Sequence, residues 1–161
     1  GCLAGNPSDV ATVLTAMDAE IVTSKRKEPI EEMMKKSHCR LVEEDEIVTE
    51  IRIPASAKEY RVGYDKFRVR DSHDFAVVSV ASAYKMQEGV ITDARIVLGA
   101  VAPIPLRARE AEAYITGKTV TEELAAEAAE IALSGALPLS RNGYKVQIAK
   151  TLVRNSLLNA R

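Results

Sequence analysis

One stretch, residues 93–112 with the sequence DARIVLGAVAPIPLRAREAE, constrains the fold more than any other part of the chain. Residues 94–101 are apolar apart from one arginine, which predicts a buried strand, and Gly99 thins that strand for a close backbone approach. The Pro-Ile-Pro segment that begins at Pro103 neither extends a sheet ladder nor fits a helix interior. The next run is rich in Ala and Glu and predicts a helix from about Arg107 onward. The stretch therefore predicts a strand, a rigid corner and a helix in close succession.

The residues on both sides of this stretch predict a hairpin and two further helices. Residues 75–86 and 90–101 are apolar segments separated by a Glu-Gly turn, as in an antiparallel hairpin. Gly117 predicts the end of the first helix, and Thr121 with the glutamates after it is a capping signal for a second one. Residues 144–160 place apolar side chains at helical spacing, which predicts a final amphipathic helix.

The first third of the chain predicts shorter elements. Ser8 or Asp9 is a helix cap ahead of apolar residues at helical spacing. Residues 19–23 predict a short strand and residues 30–36 a short helix. Residues 45–54 (DEIVTEIRIP) alternate in polarity and predict a half-buried strand. Because strands come mainly first and helices later, the predicted fold class is α+β.

A row of cations follows the best candidate for a subdomain boundary. Residues 55–59 predict a linker, and residues 60–70 alternate between polar and apolar as in a strand. On such a strand Lys66, Arg68 and Arg70 project from the same face. This face suits an anion such as phosphate, but a solvated strand face is the commoner explanation of such a pattern, and both interpretations stay open.

The residues that carry chemistry form no recognisable constellation on their own. Residues 71–74 (DSHD) place two carboxylates around a histidine, a pattern that suits acid–base chemistry or a simple turn. No catalytic residue is predicted. The spacing of the candidate metal ligands matches no zinc pattern, so no metal site is predicted from Cys2, His38, Cys39 and His73.

The charge balance, the length of the apolar runs and the cysteine count indicate which partners and which cellular location to expect. The 161 residues include 22 basic and 23 acidic side chains, a balance that favours neither nucleic acid nor a charged membrane surface as a partner. No apolar run reaches membrane-spanning length, so no membrane span is predicted. Two cysteines make no disulfide framework, which favours a reducing compartment and a cytoplasmic location.

Several motifs, taken in order, resemble the FAD-binding (medium) flavoprotein subunit of the molybdenum hydroxylases, the xanthine dehydrogenase and carbon monoxide dehydrogenase family. LGAVAPIPLRAREAE looks like the C-terminal domain of that subunit. Three further segments match its patterns: GCLAGNPSD resembles GGN…SPxSD, DEIVTEIRIP resembles DEIL…IPxP, and Lys66 to Asp74-Phe75-Ala76 resembles K…R…DIA. The opening segment departs from the pattern, because it is about two residues shorter and has Cys2 where the family usually has Asn.

The resemblance implies a domain organisation and a function. Residues 1–56 would belong to the middle FAD-binding subdomain, and residues 57–161 would form the C-terminal domain, an antiparallel sheet with three helices. The glycine-rich loop that cradles the FAD pyrophosphate is expected in sequence preceding this chain, so a C-terminal portion is expected. The implied function is electron transfer from two-iron clusters through FAD to an acceptor such as NAD+. Partner subunits would hold the iron–sulfur clusters and the molybdenum cofactor.

The resemblance also implies which residues contact FAD, namely Gly1, Cys2, Asp9, Val48, Lys66 and Asp74. Asp9 matches a residue that holds the ribityl and phosphate region, and Val48 matches an aliphatic contact. Lys66 matches the lysine that reaches toward the flavin, and Asp74 lies on the loop that faces the isoalloxazine ring. An alternative function is a docking module for partner subunits that binds no cofactor itself.

Overall fold

The computed structural model describes residues 5–36 and 42–160, the side chain of Lys36 excepted. Within these residues the chain forms helices and antiparallel strands, which confirms the α+β class. In chain order the elements are α1 (Asp9–Ala16), β1 (Glu20–Thr23), β2 (Lys27–Pro29), α2 (Ile30–Lys36), β3 (Val48–Arg52), a 3-10 helix (Ala55–Glu59), β4 (Arg61–Phe67), β5 (Val78–Gln87), β6 (Val90–Gly99), β7 (Leu106–Arg107), α3 (Arg109–Ile115), α4 (Glu122–Ala132) and α5 (Tyr144–Leu158).

The described strands form two antiparallel sheets. The smaller sheet has the order β2-β1-β3, and the larger one has the order β4-β5-β6-β7. The predicted hairpin is confirmed as β5 and β6, which pair from Ser79 with Gly99 to Gln87 with Val90. Its turn places Glu88 and Gly89 at positive φ, a conformation that favours glycine.

Both faces of the larger sheet are covered by helices. Val80, Ile96 and Leu98 are fully buried on the face that packs against α3, α4 and α5. Ala81 and Val97 alternate with them, point to the other face and contact Ala16 of α1. Because successive strand residues point to opposite faces, the two helical layers together bury β5 from Val78 to Tyr84.

Gly99 is the point of close approach that the sequence predicts. A Cβ atom at this position would lie 2.3 Å from Ser79 Oγ and 2.6 Å from Thr12 Oγ1. Both distances are below any ordinary van der Waals contact, so only glycine lets α1 pack this closely on β6.

Side-chain caps and a glycine set the ends of the described helices. Thr121 is the N-cap of α4, where its side chain accepts a hydrogen bond from Leu124 N at 3.1 Å. Gly117 lies at a φ of 82° just after α3, in agreement with the predicted helix stop.

The prediction of a half-buried strand at residues 45–54 is wrong in its burial. The strand forms as β3, but all five of its residues are exposed, and Ile51 retains 49% of its accessible surface. β3 pairs with β1 along one edge, and among the described residues no second layer covers its faces. Alternation in polarity predicts a strand but does not supply the layer that would bury it.

Two other expectations need correction. The predicted linker over residues 55–59 is a 3-10 helix with Ala57 buried. Arg107 does not begin a helix; it belongs to β7, and α3 begins at Arg109. Arg107 pairs with Val97 of β6 and forms a bidentate ion pair with Glu112, which keeps the chain extended two residues before the helix begins.

Candidate functional site

The candidate site begins at the first turn of α1. Ser8 rather than Asp9 is the N-cap, because its side chain accepts a hydrogen bond from Ala11 N at 3.0 Å. Asp9 is consequently the first helical residue, and its carboxylate lies at the positive end of the helix dipole. The local sequence therefore sets the position of this carboxylate.

Two side chains of β4 meet the carboxylate of Asp9. Lys66 Nζ donates to Asp9 Oδ2 at 2.7 Å, and the Tyr64 hydroxyl donates to Asp9 Oδ1 at 2.6 Å. Tyr64 pairs with Ala81 and Lys66 with Ser79, so both lie on the face of the sheet that α1 covers. We call Asp9, Tyr64 and Lys66 the Asp9 cluster.

Burial and hydrogen bonds shift the pKa values of Asp9 and Tyr64 in opposite directions. Burial raises the pKa of Asp9, but the hydrogen bonds from Lys66 and Tyr64 outweigh burial, so the net pKa lies below its usual value of 3.8. Burial, reinforced by the Asp9 hydrogen bond, raises the pKa of Tyr64. Asp9 is therefore ionised and Tyr64 protonated at neutral pH.

The cluster retains capacity to bind a ligand. The ammonium group of Lys66 has three hydrogens, of which one bonds Asp9. The side chains of Lys66 and Asp9 keep 19% and 39% of their accessible surface. A ligand that carries hydroxyl groups and oxygen acceptors close together can thus bond the carboxylate and the ammonium at once.

The predicted face of three cations is wrong. β4 ends at Phe67, so Lys66 lies on the strand while Arg68 and Arg70 belong to the loop beyond it. Arg68 Nη2 donates to Asp71 Oδ1 at 2.5 Å, and Arg70 Nε donates to Asp74 Oδ2 at 3.2 Å. Both arginines therefore lie beyond the strand, each paired with an acidic side chain three or four residues further along the chain.

The loop between β4 and β5 carries the predicted contact Asp74. Its carboxylate accepts hydrogen bonds from Arg70 and from Phe75 N, and Arg70 lowers the pKa of Asp74. His73 of the same loop makes a small contribution to the lowered pKa of Asp9, which places the loop beside the Asp9 cluster. Of the two interpretations of residues 71–74, the geometry favours the turn.

The structure joins some of the predicted flavin contacts and leaves others apart. Asp9 and Lys66 meet directly, although 57 positions separate them in the chain. Val48 is exposed on β3, where it pairs with Thr23 and makes no described bond to the cluster. Gly1 and Cys2 lie outside the described residues.

Two site residues were not evident from the sequence pattern. Tyr64 precedes Lys66 by two positions, a spacing that puts both on one strand face and is the signal that identifies it. Asn6 pairs with the turn after β6: its N donates to Ala102 O at 2.8 Å, and its carbonyl accepts from Ala100 N at 3.1 Å. This pairing fixes the segment that leads into α1.

Comparison with known proteins identifies the family. Residues 63–160, more than half of the chain, match the family model of the CO dehydrogenase flavoprotein C-terminal domain. Residues 2–56 match the model of the FAD binding domain in molybdopterin dehydrogenase. The chain therefore belongs to the CO dehydrogenase flavoprotein family, the FAD-binding medium subunits of molybdenum hydroxylases, and the resemblance seen in its motifs is confirmed.

Individual relatives agree with this assignment. The glyceraldehyde dehydrogenase medium chain of Sulfolobus acidocaldarius is 31% identical over 90% of this chain and 54% of its own length. The solved carbon monoxide dehydrogenase of Hydrogenophaga pseudoflava is 32% identical, with a TM-score of 0.85 over 97% of this chain and 57% of that one. Quinoline 2-oxidoreductase of Pseudomonas putida 86 is 27% identical, with a TM-score of 0.84 over 98% and 57%. The chain thus spans a little over half the length of these relatives.

Residues 5–36 and 42–160 show neither a metal-binding cluster nor a membrane-spanning helix. These residues contain no group of three or more His, Cys, Asp and Glu side chains arranged to hold a metal ion. Cys2, His38 and Cys39 lie outside them. No helix in that part of the chain is long and apolar enough to cross a bilayer.

Proposed function

We propose that the chain binds FAD as part of the electron-transfer medium subunit of a molybdenum hydroxylase. The observation that carries the proposal is the Asp9 cluster, in which two predicted flavin contacts meet at 2.7 Å across two elements of the fold. The match of residues 2–56 to an FAD binding domain supports it. We assign residues 1–56 to the FAD-binding subdomain and residues 57–161 to the C-terminal domain.

The chemistry of the Asp9 cluster fits the cofactor. Asp9 accepts hydrogen bonds from ribityl hydroxyls, while Lys66 donates to an oxygen of the flavin and offsets negative charge there. Val48 supplies an apolar contact, Asp74 holds its loop toward the ring through Arg70, and Gly1 and Cys2 contact the cofactor from the segment before α1. FAD itself supplies the capacity to take up electrons and pass them on.

The family supports the following proposed role for the whole subunit. Iron–sulfur and molybdenum-binding partner subunits deliver electrons from a substrate such as a purine, an aldehyde or carbon monoxide. The medium subunit passes them from two-iron clusters through FAD to an acceptor such as NAD+. We expect the complex to be cytoplasmic.

An FAD titration of the purified chain, followed by quenching of flavin fluorescence, tests the proposal. We expect saturable binding with a Kd below about 10 μM. Asp9→Asn and Lys66→Met are each expected to weaken binding at least about tenfold, the effect of losing one charged hydrogen bond. Lys85→Met is the matched control, because Lys85 lies on β5 and pairs with Glu59 away from the cluster.

Equal FAD affinity in the wild type, Asp9→Asn and Lys66→Met would contradict the assignment of the Asp9 cluster. If the chain alone does not bind, the titration is repeated with the pyrophosphate-loop domain of a relative fused before residue 1. Failure of that fusion to bind FAD would overturn the proposed function.

A second function, a docking module that binds no cofactor itself, is supported by β3. Ile47, Val48, Ile51 and Ile53 keep between 47% and 67% of their accessible surface, an unusual density of exposed aliphatic side chains. We expect such a module to bind an iron–sulfur partner subunit of the family without FAD. An Ile51→Lys variant that binds that subunit as tightly as the wild type would exclude this surface as the docking site.

A further inference from the structure

A cavity of about 440 Å³ lies in the C-terminal part of the fold, apart from the Asp9 cluster. Its walls come from the end of β6, from β7, from the end of α4 and from the start of α5. The loop between α4 and α5 also contributes to the lining, and the apolar side chains include Leu98, Val101, Leu106, Leu133, Val146 and Ala149. Its volume is within the range of about 300–1,000 Å³ that is typical of small-molecule sites.

Lys145 is the one charged residue among the described residues that line this cavity. Its Nζ donates to the backbone carbonyl of Ala100 at 2.7 Å, and no ion pair to a described carboxylate accompanies that bond. Burial lowers the pKa of Lys145. The cavity thus contains a partly desolvated ammonium group whose hydrogen-bond acceptor is the neutral carbonyl of Ala100.

The carbonyl of Ala100 leaves part of the ammonium group unused. Three hydrogens are available on Nζ, and Ala100 accepts one of them. A carboxylate in the cavity can therefore bond Lys145 without displacing the existing hydrogen bond.

The apolar walls determine which chemical groups can fill the rest of the cavity. A strongly hydrated phosphate would lose water against six apolar side chains, whereas an aliphatic or aromatic body would gain from the burial. One lysine balances one negative charge. We propose that this cavity binds a small apolar carboxylate, such as a medium-chain fatty acid or an arylcarboxylate, with the carboxylate on Lys145 and the apolar body against Leu98 and Leu106.

Calorimetric titration of the purified 161-residue chain with octanoate at pH 7 tests the proposal. Neutral 1-octanol is the matched probe, because it has the same chain length and no charge. We expect octanoate to bind with a Kd on the order of 10–100 μM and 1-octanol at least about tenfold more weakly.

Three variants separate the contribution of charge from that of shape. Lys145→Met is expected to weaken octanoate binding at least about tenfold and to leave 1-octanol binding unchanged. Gly135→Leu is expected to weaken the binding of both probes. Gly135 lines the cavity and a Cβ there meets no atom within 4 Å, so a leucine side chain has room to occupy space that the probe would fill. Lys150→Met is the control: it lies on α5 as well, but its partner is Glu130 and it does not line the cavity.

Circular dichroism and thermal unfolding of each variant establish that it is folded before it is titrated. Saturable octanoate binding that depends on Lys145 and is blocked at Gly135 would support the site. Octanoate binding of equal strength in Lys145→Met would overturn the role of the charge. The absence of saturable binding up to about 5 mM, where even weak sites are occupied, would overturn the site itself.

Discussion

Two apolar strand regions of this chain have opposite environments. Val97 on β6 is fully buried, because it packs against Ala16 of α1 and Ala81 of the neighbouring strand. Ile51 on β3 keeps 49% of its accessible surface. Both regions satisfy the pattern of a strand. The difference comes from the elements around them: β6 has a helical layer on each face, and β3 has none among the residues that the structure describes.

Because of this difference, we expect the region around β6 to determine the stability of the fold and the region around β3 to be available for binding. The region around β6 contributes to folding through burial of apolar surface, at about 25 cal/mol per Å². The region around β3 presents apolar surface that contributes little to the stability of the described fold, so it is available to an occupant. Mutations in the two regions are therefore expected to alter different measurements.

The largest effect is expected for Glu112→Ala at the covered sheet. Glu112 Oε1 accepts from Ile96 N at 2.8 Å, and its carboxylate binds Arg107 in a bidentate pair. Removal leaves the Ile96 N–H without its acceptor and Arg107 with Asp18 as its remaining carboxylate, which we expect to lower the free energy of unfolding by about 2–4 kcal/mol. Urea denaturation measures it. Glu130→Ala, at an exposed pair with Lys150, is the control and should change the value by less than about 0.5 kcal/mol.

A smaller loss is expected for Gly99→Ala. The new Cβ would meet Ser79 Oγ and Thr12 Oγ1 at 2.3 and 2.6 Å and would push α1 away from β6. Overpacking of this kind costs about 1–3 kcal/mol, which urea denaturation resolves. Gly135→Ala provides the comparison, since a Cβ there meets nothing within 4 Å. Equal stability of the two variants would show that α1 is not held tightly on the sheet.

The Asp9 cluster, where α1 meets β4, predicts a weak dependence of stability on pH. The pKa of Asp9 is lowered in the folded state, so its contribution is present above the usual value of 3.8 and is lost as pH falls below it. Because the side chain of Asp9 is 39% exposed, we expect a difference of at most about 1 kcal/mol between wild type and Asp9→Asn at pH 7. Thermal unfolding at pH 7 and at pH 3 measures it. A difference that persists unchanged at pH 3 would contradict the ionised Asp9.

The smallest effect on stability is expected for Ile51→Thr on β3. Threonine keeps the β-branched shape, and the side chain it replaces is half exposed, so the free energy of unfolding should change by less than about 0.5 kcal/mol. The free energy of binding FAD or a partner subunit should change by more than the free energy of unfolding. A loss of stability above about 2 kcal/mol would show that β3 is buried in the folded chain and would remove the contrast between the two regions.

Much of the larger sheet was predictable because its signals are local. The turn of the β5–β6 hairpin and the cap at Thr121 depend on neighbours within a few residues, so sequence patterns reveal them, and the same kind of signal narrows the cap of α1 to Ser8 or Asp9. Arg68 and Arg70 were placed wrongly because an alternating pattern does not show where a strand ends. Nearby carboxylates at Asp71 and Asp74 draw both arginines into the loop.

The candidate site was predictable only in part. The family resemblance singled out Asp9 and Lys66, and spacing puts Tyr64 on the same strand face as Lys66, but nothing in the sequence pattern indicates that either side chain bonds Asp9. The exposure of β3 was likewise outside the reach of the pattern, since burial depends on which elements pack against a strand.

The sequence by itself determined the fold class and most of the element positions, because backbone preferences and polarity patterns act between residues close in the chain. The family was indicated separately, by the resemblance of several motifs taken in order. The tertiary structure alone decided that Asp9 meets Tyr64 and Lys66. It also decided that, within residues 5–36 and 42–160, no layer covers β3 and Lys145 is the charged residue that lines an apolar cavity. Each of these results requires side chains from separate elements to come within a few ångströms, and packing of the whole chain sets those distances.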